Sequence, residues 1–368
     1  RHIYPSFIEP YSTYGVTQPE KKKKENRGPQ YDGKKKGAYA WNDALNPEAD
    51  ASALFQPDEK KAKGLRKLGF GAMVSLVDDG ISKGTSACVL MGDGTAQENL
   101  LQRDVAAHYA FKKGTSHQNY PNSLMGSIAL LRQTYLDASW YNGNPDPLQE
   151  TNLGLEAWNG NQSIPQVFSV TDLLSTFRAD KVGDEFGVQY IFKGSGNEYR
   201  RIRAIKQTGG SFIIPLKFPD AYDVEDPYDA MLVDYSDMLN WELAPGNAAK
   251  LKAAGVEFCF TTNGLTKTED VWKSMKAALK AGLDSSDAVA AWTTVPAKMF
   301  GLSGLGSLEA GKVANFIITT DKMFRKDSKV LENWIGGNRY MISEKTNEKL
   351  DGKYNLTVGV NSKTIEVK

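Results

Sequence analysis

Histidine and cysteine are scarce in this chain, and their scarcity limits the chemistry available to it. The sequence of 368 residues contains three histidines (His2, His108 and His117) and two cysteines (Cys88 and Cys259). Imidazole and thiolate are the most frequent ligands of catalytic zinc, and no histidine here has a second one at H-x-H spacing. We therefore expect structural or solvated histidines rather than a metal site. The apolar contexts of the cysteines, SACVLM and VEFCFTT, favour buried free thiols over a disulfide.

A charge excess, long apolar runs and two familiar catalytic motifs are also absent. The net charge is +1, which gives no support to general nucleic-acid binding. No apolar run approaches the roughly 18 residues that span a bilayer, so we expect no membrane span. The motifs H-E-x-x-H and G-x-x-x-x-G-K-[ST] do not occur, which argues against the enzyme classes that carry them. The chain starts without methionine or an apolar signal segment, and we expect it to be a piece of a longer protein.

What the chain does contain is an alternation of short apolar runs and helical patterns. From residue 164 onward the apolar runs are IPQVFSV, VQYIF, SFIIPL and VEFCFTT, with amphipathic segments between them. Repeated strand–helix units predict a parallel sheet with crossover helices. About eight such units fit a closed (β/α)8 barrel better than an open sheet. The predicted fold is therefore an α/β protein with a TIM-like barrel over residues 1–304.

The predicted barrel includes two further assignments near the N-terminus. Ile3 to Ile8 is expected to form the first barrel strand, beside the strand that contains Met73 to Val77. The stretch from Gly80 to Thr115 alternates around a GDG turn, which predicts a hairpin inserted beside the core. His108 and His117 are assigned to this insertion.

A change of pattern beyond Leu305 predicts a second unit. The runs GKVANFIITTD, KVLENWIGGNRYMI, GKYNLTVGV and KTIEVK read as strands that are separated by Gly and Asn turns, with no helix between them. We expect residues 305–368 to form a small module of the β-sandwich type.

The segment AVAAWTTVPAKMFGLSGLGSLEAGKVANFIITT carries a specific resemblance to a known family. Its order, T-x-x-P-A-K-x-x-G-L followed by G-S-L-E-x-G-K-x-A-x-F, resembles the C-terminal signature of the amidohydrolase superfamily, nearest to its imidazolonepropionase-like branch. YPSFIEPYSTYG resembles the family's first barrel strand, P-G-x-I-D-x-H-x-H-x-G, and AGVEFCFTTNGL resembles its eighth. The positions that match the C-terminal signature are Pro296, Ala297, Gly301, Gly306, Gly311 and Lys312. Asn315 stands where the family usually has an aspartate.

The resemblance implies metal-assisted hydrolysis of C–N bonds in a TIM-like barrel. Members of the family hold one or two divalent metals, zinc or another, through histidines on strands one, five and six and an aspartate on strand eight. The metal lowers the pKa of its bound water and polarises a carbonyl. The aspartate takes a proton from the water and passes it to the leaving group.

This chain departs from the family pattern at each ligand position that can be placed. Tyr11 and Thr13 stand at the strand-one histidines, Lys193 at the strand-six histidine and Asn263 at the catalytic aspartate. Neutral hydroxyl groups are poor zinc ligands, a protonated lysine repels zinc, and asparagine cannot act as a general base. We therefore predict no metal and no cofactor. The four side chains are expected to converge at the C-terminal mouth of the barrel, with Glu9 as a candidate partner for the lysine.

An acidic stretch rich in aromatic residues precedes the predicted eighth strand. Eight acidic residues lie between Asp220 and Glu242, without the D-x-D-x-D-G order of a calcium loop. A solvated loop and helix face is the plain interpretation, and a weak cation site or a basic partner is the alternative. Aromatic side chains at the barrel mouth would also suit a sugar or a peptide. The aromatic residues of this stretch are Tyr222, Tyr228, Tyr235 and Trp241.

Three functions fit these observations, and we favour the first. The chain would be a catalytically degenerate barrel with a structural or partner role beside an active hydrolase barrel, a neighbouring catalytic domain of a longer chain. Alternatively, it would be an active hydrolase of amide or cyclic amide bonds, with unfamiliar metal ligands or with metal-free chemistry by Lys193, Tyr11 and Thr13. The third possibility is a module that binds a peptide or a glycan.

Overall fold

The computed structural model describes residues 1–20, 28–143, 150–343, 352–358 and 361–367, and within them strands and helices alternate. The strands are β1 (His2–Pro5), β2 (Phe7–Ser12), β3 (Phe70–Ser75), β4 (Ser82–Thr85), β5 (Ala87–Leu90), β6 (Leu100–Gln102), β7 (Ala107–Ala110), β8 (Gln166–Ser169), β9 (Tyr190–Lys193), β10 (Phe212–Pro215), β11 (Phe258–Thr261), β12 (Phe316–Thr319), β13 (Val330–Ile335), β14 (Asn338–Met341), β15 (Gly352–Val358) and β16 (Asn361–Val367).

The α-helices lie mostly in the connections between these strands. They are α1 (Ala51–Leu54), α2 (Glu59–Leu68), α3 (Ala96–Asn99), α4 (Leu124–Gly143), α5 (Leu153–Asn161), α6 (Leu173–Phe186), α7 (Ile202–Gln207), α8 (Pro227–Met231), α9 (Tyr235–Leu243), α10 (Asn247–Ala254), α11 (Val271–Lys280), α12 (Ser285–Ala290) and α13 (Thr294–Met299). Short 3-10 helices span Glu198–Arg201, Ala244–Gly246 and Thr268–Asp270.

Parallel strands form most of the barrel. β2 pairs with β3, and β7, β8, β9, β10 and β11 pair in that order. β4 and β5 are separated by Ser86 and fill the position between β3 and β7, because β5 pairs antiparallel with β3 and β4 with β7. At the other seam, the Thr261 hydroxyl of β11 donates to the backbone oxygen of Tyr11 on β2 at 3.3 Å. These contacts give the TIM-like α/β barrel that the sequence predicts.

Both faces of the barrel strands are buried. Neighbouring residues of one strand point to opposite faces, and the residues of both faces pack in apolar clusters. Phe168, Phe212 and Phe260 pack in the larger apolar cluster together with helix residues. Their strand neighbours Val167, Ile213 and Cys259 pack in a second cluster inside the barrel. This arrangement explains why the strands read as continuous apolar runs. Cys259 and Cys88 are both buried and free, as predicted.

The prediction that Ile3 to Ile8 is a single barrel strand is wrong for its first half. β1 pairs antiparallel with β12 and belongs to a four-stranded sheet in the order β1-β12-β13-β14, whereas β2 lies in the barrel beside β3. The chain passes from this sheet to the barrel at Ser6. The Ser6 hydroxyl donates to Asn333 at 2.8 Å, and its amide donates to the Asn315 carbonyl at 3.1 Å. The predicted boundary between barrel and C-terminal module at residue 304 stays a prediction, but His2–Pro5 lies outside the barrel.

The C-terminal unit consists of antiparallel strands, which agrees with the strand pattern of its sequence. β12, β13 and β14 follow one another in the four-stranded sheet, and β15 and β16 form a separate hairpin. Residues 344–351, 359–360 and 368 of the predicted module lie outside the described residues.

The assignment of the whole stretch from Gly80 to Thr115 to an inserted hairpin is also wrong. β7 pairs in parallel with β8, with His108 opposite Val167, so β7 is a barrel strand. All four of its residues are buried, as is typical of a strand that is covered on both faces.

Among the described residues, no helix is long and apolar enough to cross a membrane.

Candidate functional site

A cavity of about 680 Å³ lies at the C-terminal ends of the barrel strands. Ser169 at the end of β8, Lys193 at the end of β9 and Asn263 just after β11 line it, together with Lys83 of β4. Active sites of TIM-barrel enzymes lie at this edge, where the loops that follow the parallel strands meet. The cavity is therefore the candidate functional site.

A hydrogen-bonded group of Tyr11, Lys83 and Asp78 lies at this cavity. The Tyr11 hydroxyl donates to Asp78 Oδ1 at 2.9 Å and accepts from Lys83 Nζ at 3.0 Å. Lys83 Nζ also donates to Asp78 Oδ1 at 2.5 Å. Lys83 and Asp78 line the cavity, whereas Tyr11 is 1% exposed and lies behind them.

The charges in this group are fixed by their mutual contacts. Burial acts to lower the pKa of Lys83, but the oxygens of Tyr11 and Asp78 raise that pKa above its ordinary value. Burial acts to raise the pKa of Asp78, and the Lys83 ammonium outweighs it and holds the pKa below the usual range. Burial raises the pKa of Tyr11. At neutral pH the group is an ammonium, a carboxylate and a neutral phenol.

Lys193 is a second cation beside the same tyrosine. Its Nζ lies 5.8 Å from the centroid of the Tyr11 ring, and Lys83 Nζ lies 5.7 Å from that centroid. Burial lowers the pKa of Lys193, and the Asp78 carboxylate offsets part of this effect. Within the described ranges Lys193 Nζ makes no hydrogen bond or ion pair, whereas its backbone carbonyl accepts from the Val170 amide at 3.0 Å. The lysine is thus a partly desolvated amine that points into the cavity.

Glu9 does not serve as the hydrogen-bonded partner of Lys193. Its carboxylate accepts from the amide of Thr262 at 2.8 Å, from the Thr262 hydroxyl at 2.7 Å and from the Tyr11 amide at 3.2 Å. It also accepts from the Thr261 hydroxyl. Burial raises the pKa of Glu9 to about 7, although these hydrogen bonds act in the opposite direction. Glu9 joins β2 to β11 and so holds the barrel seam together.

The four residues singled out from the family pattern are only partly brought together. Lys193 and Asn263 line the cavity, and Tyr11 lies directly behind Lys193. The backbone amide of Asn263 donates to the Thr261 hydroxyl at 3.0 Å. Thr13 lies beyond the end of β2, is exposed and does not line the cavity. Its carbonyl accepts from the Val16 amide at 3.3 Å in a turn.

His108 lies inside the barrel and contacts the same group. Its ring packs edge-on against Tyr11 with 5.7 Å between centroids, and the side chain is 1% exposed. Neither ring nitrogen has a hydrogen-bond partner in the part of the chain that the structure describes. Burial lowers the pKa of His108 to about 3, so the imidazole is neutral. Sequence reasoning missed His108, Lys83 and Asp78, although Asp78 directly follows a buried strand in the polar run DDG, which is a usable signal.

The divalent metal that the family resemblance implies does not fit these residues. Asp78 and His108 are conventional ligands, but the Asp78 carboxylate is already held by the Lys83 ammonium. A second cation, Lys193, flanks the same tyrosine. Among the described residues, no group of three His, Cys, Asp or Glu side chains is arranged to hold a metal ion. A divalent ion needs carboxylate and imidazole ligands at this position. The two ammonium groups that stand there would repel it instead.

The aromatic residues of the acidic stretch lie elsewhere. Tyr222, Tyr228, Tyr235 and Trp241 are exposed, and none of them lines the cavity. Trp241 lines a separate depression together with Phe218 and Lys273. The expectation that this stretch supplies aromatic side chains to the barrel mouth is therefore wrong for the cavity described here.

Comparison with known families supports the C-terminal signature. The model of the amidohydrolase family matches residues 246–345, which include β11, the helices that follow it and the sheet strands β12 to β14. No curated protein sequence matches the chain.

Comparison with solved structures shows the fold. The structure of an amidohydrolase from Thermotoga maritima MSB8 is 17% identical, covers 92% of this chain and 86% of its own, and superposes with a TM-score of 0.70. A Xaa-Pro dipeptidase with bound methionine is 14% identical over 92% of this chain and 86% of its own, with a TM-score of 0.43. A 5-methylcytosine deaminase from Klebsiella pneumoniae is 14% identical over 64% and 56%, with a TM-score of 0.40. The first of these supports an amidohydrolase-type barrel.

Proposed function

We propose that this chain is a catalytically degenerate amidohydrolase-like barrel, nearest to the imidazolonepropionase-like branch, which serves as a partner of an active hydrolase barrel. The observation that carries the first half of the proposal is the Lys83 ammonium. It is hydrogen-bonded to Asp78 and Tyr11 at the barrel mouth, where a hydrolase of this type needs a metal and an activated water. A fixed ammonium can neither coordinate water nor accept a proton from it.

The alternative of an active C–N hydrolase requires either another metal site or metal-free chemistry. Metal-free chemistry with Tyr11 is disfavoured, because its hydroxyl is buried behind Lys83 and already makes two hydrogen bonds. Thr13 does not line the cavity, and Asn263 cannot take a proton from water. Lys193 remains as the one group of the proposed set that faces the cavity with a lowered pKa.

Zinc binding separates the two functions. We expect isothermal titration of the metal-free protein with zinc chloride to show no site tighter than about 10 μM, since no described residue set offers three good ligands. Hydrolysis of amide and cyclic amide substrates is then measured with and without added zinc. One tightly bound zinc per chain, together with zinc-dependent turnover that is lost in Asn263→Ala, would replace the proposal with the active hydrolase.

The partner role is supported by an acidic apolar surface, which we define as residues 220–242. No residue of this surface is buried, and Leu232 and Tyr228 are 84% and 79% exposed. The helices α8 and α9 within it bury no side chain. Large exposed apolar patches mark interaction sites in soluble proteins.

Charge complementarity indicates the chemistry of the partner. The acidic apolar surface contains eight acidic residues, and no Lys, Arg or His occurs between Lys217 and Lys250. A partner that presents apolar side chains rimmed by lysine or arginine would cover the exposed side chains and neutralise the carboxylates. We therefore propose that this surface docks a basic, apolar face of a neighbouring protein domain.

A synthetic helical peptide with leucines on one face and lysines on the other tests this surface. We expect fluorescence anisotropy to show binding that weakens with salt, and no binding of the same peptide with glutamates in place of the lysines. The double variant Met231→Ser, Leu232→Ser should weaken binding at least tenfold. The matched control Met125→Ser, Leu136→Ser removes exposed apolar side chains from α4 and should leave binding unchanged. Equal binding of both peptides, or equal loss in both variants, would contradict the proposal.

A further inference from the structure

The cavity at the barrel mouth carries more positive than negative side chains. Its charged lining residues are Lys83, Lys112, Lys193 and Lys217 and the carboxylates Asp78 and Asp172. With lysines protonated and carboxylates ionised, the lining has an excess of positive charge. A concave site of one sign concentrates ligands of the opposite sign.

Both carboxylates of the cavity are already engaged. Asp78 accepts from Lys83 and Tyr11. Asp172 is the N-cap of α6, and its carboxylate accepts from the amide of Ser175 at 2.9 Å and from the Ser175 hydroxyl at 2.6 Å. These contacts leave neither carboxylate hydrogen-bonded to Lys193.

Lys193 therefore has no anionic partner at contact distance in the described residues. A cation that is partly withdrawn from water without a counter-ion is costly, which is why burial lowers the pKa of this side chain. An anion in the cavity would supply the missing partner. The adjacent Lys83 cannot accept a hydrogen bond, so it offers no substitute.

A neutral donor lies two residues along the chain from this lysine. Ser195 lines the cavity, and its hydroxyl is buried without a hydrogen-bond partner within the described part of the chain. Its backbone is held in place, because its amide donates to Glu198 at 2.8 Å. Buried hydroxyls are normally paired, so an unpaired one at a cavity wall points to a ligand or a water molecule.

We propose that this cavity binds a small oxyanionic ligand, through a carboxylate or phosphate group that contacts Lys193 and Ser195. The volume of about 680 Å³ suits a small molecule. The exposed ammonium groups of Lys112 and Lys217 at the rim add attraction at longer range. This proposal is independent of whether the barrel catalyses a reaction, because it uses none of the hydrolytic machinery.

Calorimetric titration with inorganic phosphate and, separately, with succinate tests the site and distinguishes the two headgroups. We expect saturable binding of at least one of them. Lys193→Met should weaken that binding at least tenfold, and Ser195→Ala should weaken it severalfold. The matched control Lys206→Met removes an exposed lysine of α7 with the same change in net charge, and it should change the affinity less than twofold.

A measurement on the unmodified chain keeps the proposal testable if Lys193→Met does not fold. Reductive methylation followed by peptide mass spectrometry reports the reactivity of each lysine. The bound anion should protect Lys193 and leave Lys206 unaffected. The proposal would be overturned if neither anion bound saturably, or if the Lys193 and Lys206 variants weakened binding equally. Unchanged methylation of Lys193 in the presence of a saturating anion would also overturn it.

Discussion

At the scale of single residues, Lys83 places a buried charge at the barrel mouth. Its ammonium is buried and makes hydrogen bonds to one carboxylate and one phenol oxygen, while the Asp78 side chain is 37% exposed. A buried cation is tolerated when its charge is compensated in this way. Removing Asp78 leaves the Lys83 ammonium buried without an anionic partner, whereas removing Lys83 leaves a partly exposed Asp78 that keeps the Tyr11 hydrogen bond.

We predict that Lys83→Met lowers the free energy of unfolding by about 1–3 kcal/mol, because Asp78 and Tyr11 lose their common donor while solvent still reaches the Asp78 carboxylate. Urea denaturation measures the change. The double variant Lys83→Met, Asp78→Asn should lose less than the sum of the two single variants, since it leaves no unpaired charge. Additive losses would show that the ion pair contributes no coupling energy.

Glu9 gives a pH dependence whose sign follows from its raised pKa. The pKa is about 7 in the folded chain, against an ordinary value of 4.5. The folded state therefore binds the proton more tightly than the unfolded state, and ionisation of Glu9 opposes folding. Its stabilising contribution is complete below about pH 4.5 and is lost as the pH rises to about 7.

We predict that the stability difference between the unmodified chain and Glu9→Gln changes with pH in this direction. Relative to the variant, the unmodified chain should lose up to about 3 kcal/mol between pH 4.5 and about pH 8. Urea denaturation of both proteins across this range measures it. The Glu9→Gln variant is the reference for the unmodified chain, because its glutamine cannot ionise. Parallel pH profiles would show that the pKa of Glu9 is not raised.

At the scale of secondary-structure elements, Gly84 allows β4 to enter the barrel close to the loop before α1. Its φ is +76°, and a Cβ there would lie 2.0 Å from the Ala49 carbonyl oxygen. The same oxygen accepts from the Thr85 amide at 2.8 Å. Gly187, which ends α6, has a similar φ of +70°, but no neighbouring atom lies within 4 Å of the position that a Cβ would occupy there.

The two glycines form a matched pair for a prediction. Gly187→Ala should lower the free energy of unfolding by about 1 kcal/mol, because only the left-handed backbone is strained. Gly84→Ala should cost about 3 kcal/mol or more, since it adds a steric clash with backbone to the same strain. Thermal and urea unfolding of both variants measure the difference. Equal costs would mean that the approach of β4 to Ala49 is not tight.

The elements that could be predicted from sequence are those whose signal is local. The apolar runs that became β8, β9, β10 and β11 alternate with helical patterns, and this alternation alone predicts parallel pairing. The division of Ile3 to Ile8 could not be predicted in this way. It depends on the bonds of Ser6 to Asn333 and Asn315, which are distant in sequence and leave no periodic pattern.

The same distinction applies to the candidate site. The positions of Lys193 and Asn263 follow from the ends of predictable strands, and both line the cavity. Lys83 and His108 reach the barrel interior only because antiparallel β4 and β5 fill one position of the ring and bring β7 in beside them. That arrangement is set by long-range packing. Thr13 was misplaced because β2 ends at Ser12 and the chain turns outward immediately afterwards.

At the scale of the whole molecule, the proposal of a degenerate barrel predicts that restoring the family's residues will not restore hydrolysis. The triple variant Tyr11→His, Thr13→His, Asn263→Asp supplies the strand-one histidines and the strand-eight aspartate. Position 13 does not line the cavity, and the Lys83 and Lys193 ammonium groups remain. The new histidines would therefore not converge on a metal beside the new carboxylate.

We expect neither the unmodified chain nor this variant to hydrolyse amides, cyclic amides or esters above background, with or without added zinc. The proposal leaves the chain without a metal-bound water and a proton acceptor, each of which is worth several kcal/mol of transition-state stabilisation, and each 1.36 kcal/mol is about tenfold in rate. A second variant that adds Lys83→Met and Lys193→His to the three changes removes both ammonium groups, and it should bind zinc more tightly than the triple variant does. Zinc-dependent turnover by the triple variant would show that the ammonium groups do not block the site, and the argument from Lys83 would then fail.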